Sequence, residues 1–112
     1  MHVQLIPPSR RLPAAIETAV YFVCSEALAN VAKHARATWV DVRVQAERDV
    51  VTVLIADDGT GGADPSAGSG LKGVADRVEA LGGRLVVESP AGGGTRLLAE
   101  VPAVSPEPEA GR

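Results

Sequence analysis

The most constraining feature of this chain is a pair of strand-like runs, 38–46 and 50–56, separated only by the polar turn Glu47-Arg48-Asp49. In the first run Val40, Val42, Val44 and Ala46 alternate with Trp39, Asp41, Arg43 and Gln45, the period of a strand with one face on a core. The second run, Val50 to Ala56, is more apolar, and so short a connection predicts an antiparallel hairpin. Parity then reaches past the strand end. Val51, Val53 and Ile55 share a face, and two places further on the same face carries Asp57. If that face meets a helix, Asp57 points inward, where a carboxylate without a hydrogen-bond donor is costly.

Two segments have the period of a helix able to cover such a sheet. From Pro13 to about Ala35, Ile16, Val20, Val23, Cys24, Ala27 and Val31 fall in one apolar stripe, and Glu26, Asn30 and Lys33 share a polar stripe beside it. Pro13 suits a first turn, where no backbone donor is needed. Gly70 to Leu81 is the second helix, with Leu71, Val74, Val78 and Leu81 at helical spacing and Gly82-Gly83 as its stop. His2 to Ile6 reads as a short strand ended by Pro7 and Pro8, and Arg84 to Ser89 as another. After the turn Pro90-Ala91-Gly92-Gly93-Gly94, Thr95 to Val101 is a closing strand with Leu97, Ala99 and Val101 on the face of Thr95. The predicted class is α+β: a two-layer sandwich in which helices cover one face of a mixed, largely antiparallel sheet. Residues 1–102 form its domain, and 103–112, rich in Pro, Glu and Ala without periodicity, are expected to be a disordered tail.

A chain of 112 residues supports one modest core. With a net charge of -3 it lacks the basic excess that holds nucleic acid by its phosphates. Charged or polar groups interrupt the apolar stretches before the ~20 residues needed to cross a bilayer, so a cytoplasmic protein, or a cytoplasmic piece of one without direct membrane contact, is expected. The single Cys24 has no internal disulfide partner and reads as a small core residue.

Between the two layers of this pattern lies the glycine-rich stretch 57–73. Asp57-Asp58 closes a strand, small residues follow, and Gly68-Ser69-Gly70-Leu71 opens the second helix, where the partial positive charge of the helix start favours anions. Each piece has a bland reading. Asp58 suits a turn-forming or helix-capping role, isolated glycines are ordinary turn residues, and Glu26, Asn30 and Lys33 alone form a solvated stripe.

Together the pieces carry a resemblance. Glu26-Ala27-Leu28-Ala29-Asn30-Val31-Ala32-Lys33-His34-Ala35 resembles the N box of the GHKL ATPase superfamily, in the form found in histidine kinases of the NarL/DesK-type group. Asp57-Asp58-Gly59-Thr60-Gly61 resembles its first glycine box, Gly68-Ser69-Gly70-Leu71-Lys72-Gly73 its second, and Gly92-Gly93-Gly94-Thr95 its final glycine-Thr element. The resemblance covers roughly residues 13–102 and implies the Bergerat ATP-binding fold, the catalytic domain of a two-component sensor histidine kinase.

It further implies that Asp57 accepts a hydrogen bond from the exocyclic amine of adenine, that Gly59 and Gly61 let the backbone approach base or ribose, and that Thr95 supports adenine directly or through water. Asn30 is implied as a Mg²⁺ ligand through its side-chain oxygen, Lys33 as a phosphate contact, and Glu26 as the N-box acid, which activates water in hydrolysing relatives. Gly62 to Ser69 matches the ATP lid, and Gly68, Gly70 and Leu71 belong to the phosphate-facing box. His34 lies inside the nucleotide-binding helix and is not read as the phosphoacceptor. Arg77 reads as a surface residue or partner contact. The implied partner is a dimerisation and histidine-phosphoacceptor domain of the same kinase, with a response regulator reached indirectly. Three alternatives stay open: an anti-sigma-factor-type serine kinase, an ATPase related to gyrase or MutL with Glu26 as general base, and a degenerate module that serves only in protein contacts.

Overall fold

A computed structural model describes residues 2–6, 12–47, 49–61 and 70–102, with the side chains of 2–6, 34 and 35 left aside. The tail at 103–112 and the stretch 62–69 lie outside the described residues. The element order is β1 (His2–Ile6), α1 (Ala14–Asn30), β2 (Trp39–Glu47), β3 (Val50–Asp57), α2 (Leu71–Ala80), β4 (Arg84–Glu88) and β5 (Thr95–Pro102).

The strands form one five-stranded sheet in the order β1-β2-β3-β5-β4. β1 runs parallel to β2, and every other neighbouring pair is antiparallel. This arrangement follows from the connections. A parallel pair needs a crossover, which α1 supplies between β1 and β2, whereas the short turn after Glu47 can make only a hairpin. The expected α+β sandwich with a mixed, largely antiparallel sheet is therefore the observed one.

The alternation in the sequence sorts the two faces as parity requires. Val40, Val42, Val44, Val51, Val53, Ile55, Leu97, Ala99 and Val101 are buried beneath the helices, together with Leu71, Val74 and Val78 of α2. The sheet's other face carries Arg43, Leu54, Leu98 and Val86 in one register row across β2, β3, β5 and β4.

The first helix departs from its pattern in two ways. Its buried line is Ile16, Ala19, Val23, Ala27 and Val31, whereas Val20 and Cys24 are only half-buried beside it. Ala19 was not in the expected stripe because a single methyl gives little signal. The α-helix also ends at Asn30, and Val31–Ala35 continue as one π-helical turn closed by Arg36 in the left-handed region at φ 51°. Apolar spacing runs on through Val31 and cannot register that widening. Half-burial pushes the Cys24 thiol above its ordinary range, in keeping with the core role expected for it.

By length and composition Ala14–Lys33, 20 residues, is apolar enough to cross a membrane, which corrects the expectation that no stretch reaches that length. Its buried line Ile16, Ala19, Val23, Ala27 and Val31 faces the core, while 28% of its most apolar window is buried in all.

Candidate functional site

The site is built from two clusters, one at strand ends and one where the end of α1 meets the start of α2. The strand cluster centres on Asp57, the only polar or charged residue among the described ones that is buried, with 7% exposure. It lies in register between Val40 of β2 and Thr95 of β5, at the point where β3 leaves the sheet. Its Oδ1 accepts a hydrogen bond from the Gly59 amide at 2.7 Å, so the backbone immediately after the strand folds back over the carboxylate.

Two glycines make that fold-back possible. Gly94 has φ 78°, and a Cβ there would stand 2.3 Å from the Asp57 carbonyl oxygen. Gly61 has φ 70°, and a Cβ there would stand 2.0 Å from the Pro90 carbonyl oxygen. Both positions thus exclude a side chain because the β4–β5 turn lies directly on the segment after Asp57. The Gly92 amide donates to the Thr60 carbonyl at 2.5 Å and ties the same two segments together. Thr95 lies beside Asp57, its hydroxyl 2.6 Å from that of Ser89.

Asp58 does different work. Its carboxylate accepts from the Thr38 amide at 2.8 Å, the Trp39 amide at 3.0 Å and the Thr38 hydroxyl. It therefore ties the start of β2 to the end of β3, a strand-to-strand contact in place of the turn-forming or helix-capping role its sequence context suggested. The Thr38 hydroxyl, followed by the Trp39 amide, keeps the Asp58 carboxyl below its ordinary range.

The helix cluster is formed by Glu26, Asn30 and Gly70. Gly70 precedes α2 at φ 88°, and a Cβ on it would lie 2.9 Å from Glu26 Oε1 and 4.0 Å from Asn30 Nδ2. The start of α2 is thus brought directly against the polar stripe of α1. Asn30 Nδ2 is buried without a hydrogen-bond partner among the described residues, an orphaned polar atom at this junction. Rotation of the amide presents its oxygen at the same place, and a carboxylate plus an amide oxygen is a donor pair suited to a hard cation such as Mg²⁺. The residues present therefore fit that ion.

Other expected site residues stand as follows. Lys33 is exposed on the π-helical turn, three residues beyond Asn30. Leu71 is 2% exposed with its side chain in the core, so only its backbone can face a ligand. Gly68 and the expected lid 62–69 lie outside the described residues, as does the side chain of His34. Sequence reasoning missed Gly94 as the residue packed on Asp57, the Thr38 clamp on Asp58, and the stacking of Arg77 on Phe22, whose guanidinium carbon lies 4.3 Å from the ring centroid. The glycine run at 92–94 was the available signal for the first. The other two join residues distant in sequence and left none.

A helix-covered mixed sheet with a buried acid at a strand end and an acid–amide pair facing a helix start is the arrangement of an ATPase-type α/β sandwich. The chain belongs to the histidine kinase-, DNA gyrase B- and HSP90-like ATPase family, which it matches over residues 15–105. It is 34% identical over 105 residues to the signal transduction histidine-protein kinase/phosphatase DegS of Brevibacillus brevis, covering 91% of this chain and 27% of that protein. It is 36% identical over 98 residues to the oxygen sensor histidine kinase NreB of Staphylococcus carnosus, covering 84% of this chain and 28% of that one. The chain therefore spans little more than a quarter of the length of these relatives.

Among solved structures it resembles the ATP binding domain of PrrB from Mycobacterium tuberculosis, with a TM-score of 0.69 and 30% identity over 94% of this chain and 82% of that one. It also resembles the blue-light activated histidine kinase of Erythrobacter litoralis, with a TM-score of 0.79 and 26% identity over 91% of this chain and 35% of that one.

Proposed function

We propose that this chain is the nucleotide-binding catalytic domain of a two-component sensor histidine kinase, which holds Mg-ATP and offers the γ-phosphoryl group to a histidine on a separate dimerisation and phosphoacceptor domain. The observation that carries the reading is the buried Asp57 carboxylate at the end of β3, in a chain of this ATPase family. Adenine's exocyclic amine is the kind of donor a buried carboxylate requires, and the Gly59 amide on Oδ1 fixes the direction in which the acid faces.

At the phosphate end, Asn30 would hold Mg²⁺, which would supply charge neutralisation to the phosphates, and Glu26 beside it is the catalytic N-box acid. Lys33 adds a point charge, and the backbone of Gly70 and Leu71 at the start of α2 donates toward anionic oxygens, with Gly68 of the same glycine box expected to do likewise from its place in the sequence. Gly61 and Thr95 shape the base end. Transfer breaks the bond from the γ-phosphorus to the β–γ bridging oxygen and forms one to an imidazole nitrogen, leaving ADP. Positioning and electrostatics are most of what a protein contributes to such a step. A response regulator would receive the phosphoryl group from that histidine. The cytoplasm, where ATP is available, is the compartment this chemistry requires.

Isothermal titration of the chain with a non-hydrolysable ATP analogue, with and without Mg²⁺, tests the binding. Saturable binding strengthened by Mg²⁺ is expected; a folded chain that binds no nucleotide overturns the reading in favour of a protein-contact module. Supplying a phosphoacceptor domain with its histidine and following label from [γ-³²P]ATP tests the transfer.

A further inference from the structure

The seam between the two helices contains a residue pair that the proposed chemistry does not use. Phe22, Glu26 and Asn30 follow one another at four-residue spacing along α1 and so form one row on its surface. On α2, Gly70, Gly73 and Arg77 form the facing row. A Cβ on Gly70 would lie 2.9 Å from Glu26 Oε1, and one on Gly73 would lie 3.9 Å from Phe22 Cζ. One turn further, the guanidinium of Arg77 lies over the face of the Phe22 ring, 4.3 Å from its centroid. The rows therefore run antiparallel, with the acid–amide pair at one end and the ring–guanidinium stack at the other.

This seam has a mechanical consequence. α2 holds the sheet through Leu71, Val74 and Val78, aliphatic contacts that are non-directional and tolerate small slides of the helix along its own axis. A planar guanidinium over a ring face is directional, and sliding or rotating α2 would uncover the ring. We infer that Phe22 and Arg77 are a positioning pair: they set where α2 sits along α1, and hence how far the Gly70 backbone stands from Glu26 and Asn30. Neither residue belongs to the nucleotide site proposed above. The pair acts on the phosphate and cation end of the site, not on the base end, which is built from the strand cluster. This inference rests on the nucleotide reading given above.

The test uses the full chain, the ATP analogue in the presence of Mg²⁺ or of EDTA, and urea unfolding of each variant. From the ordinary strength of a cation–π contact, Arg77→Met and Phe22→Leu are each expected to lose roughly two- to fivefold in affinity measured with Mg²⁺. Affinity in EDTA should stay at the wild-type value, because base recognition is untouched. Combining the two substitutions should add little to either alone, and Arg77→Lys should recover part of the loss by restoring a cation over the ring. Equal losses with and without Mg²⁺ would mean a loosened domain and overturn the inference. So would unchanged affinity in Arg77→Met beside a wild type that binds normally, an outcome that leaves the nucleotide reading intact. A folded wild type that binds no analogue removes both.

Discussion

Two adjacent acids at the end of β3 are chemically alike and are put to opposite uses by one step of strand parity. Asp57 turns under the helices and is buried, whereas Asp58 turns out and clamps Thr38 and Trp39. Replacing Asp57 with Asn keeps the size but offers a donor where adenine also donates. It should weaken binding of the ATP analogue by at least about tenfold, the worth of a hydrogen bond to a charged group, with the urea midpoint near wild type. Calorimetric titration and unfolding read on one sample check this. Asp58 governs stability instead. Its folded-state pKa is depressed, so its contribution is present above the ordinary carboxylate value of about 3.9 and is lost as pH falls through the folded value. The urea midpoint of Asp58→Asn should therefore lie below that of wild type at neutral pH, and the gap should close in acid. Gly94 and Gly92 make a matched pair, since both have φ 78° but only Gly94 lies on Asp57. Gly92→Ala should cost about 1–2 kcal/mol of backbone strain, while Gly94→Ala should cost more and also impair nucleotide binding. Equal effects of the two would show that the contact on Asp57 is unimportant.

At the scale of elements, packing decides what hydropathy cannot. α1 is apolar enough on most sides to pass for a membrane helix, yet Ile16, Val23, Ala27 and Val31 are buried against the sheet. Its composition serves a core on one side and a partner helix on another. The strands were the most legible part of the chain, because a period of two is unmistakable where Val alternates with charged residues. The layer they form is also the most sensitive to truncation. Leu97→Ala in β5, at a position 2% exposed, should cost about 2–5 kcal/mol by urea unfolding. The same change at Leu98, half-buried on the other face of that strand, should cost clearly less. The Arg77–Phe22 stack adds about 0.5–1 kcal/mol at most at such an exposed site, so its importance lies in direction more than in strength.

For the whole molecule, the candidate site is an agreement between distant parts of the chain. Ligand that binds only the folded state stabilises it by about 2.7 kcal/mol at one hundred times its dissociation constant, so Mg-ATP analogue at that excess should raise the thermal midpoint by several degrees. Scanning calorimetry with and without nucleotide checks this. By itself the sequence determined the fold class, the two faces of the sheet and the inward direction of Asp57, because periodicity and parity are local properties of the backbone. It also held the glycine boxes and the Glu26, Asn30 stripe in readable order. Only the tertiary structure decided that Gly70 closes on Glu26 and Asn30, that Gly94 lies on Asp57 while Thr38 binds Asp58, and that Arg77 stacks on Phe22. Those contacts depend on how helices lie across a twisted sheet. Side chains far apart in the chain meet there through packing, for which no local spacing provides a signal.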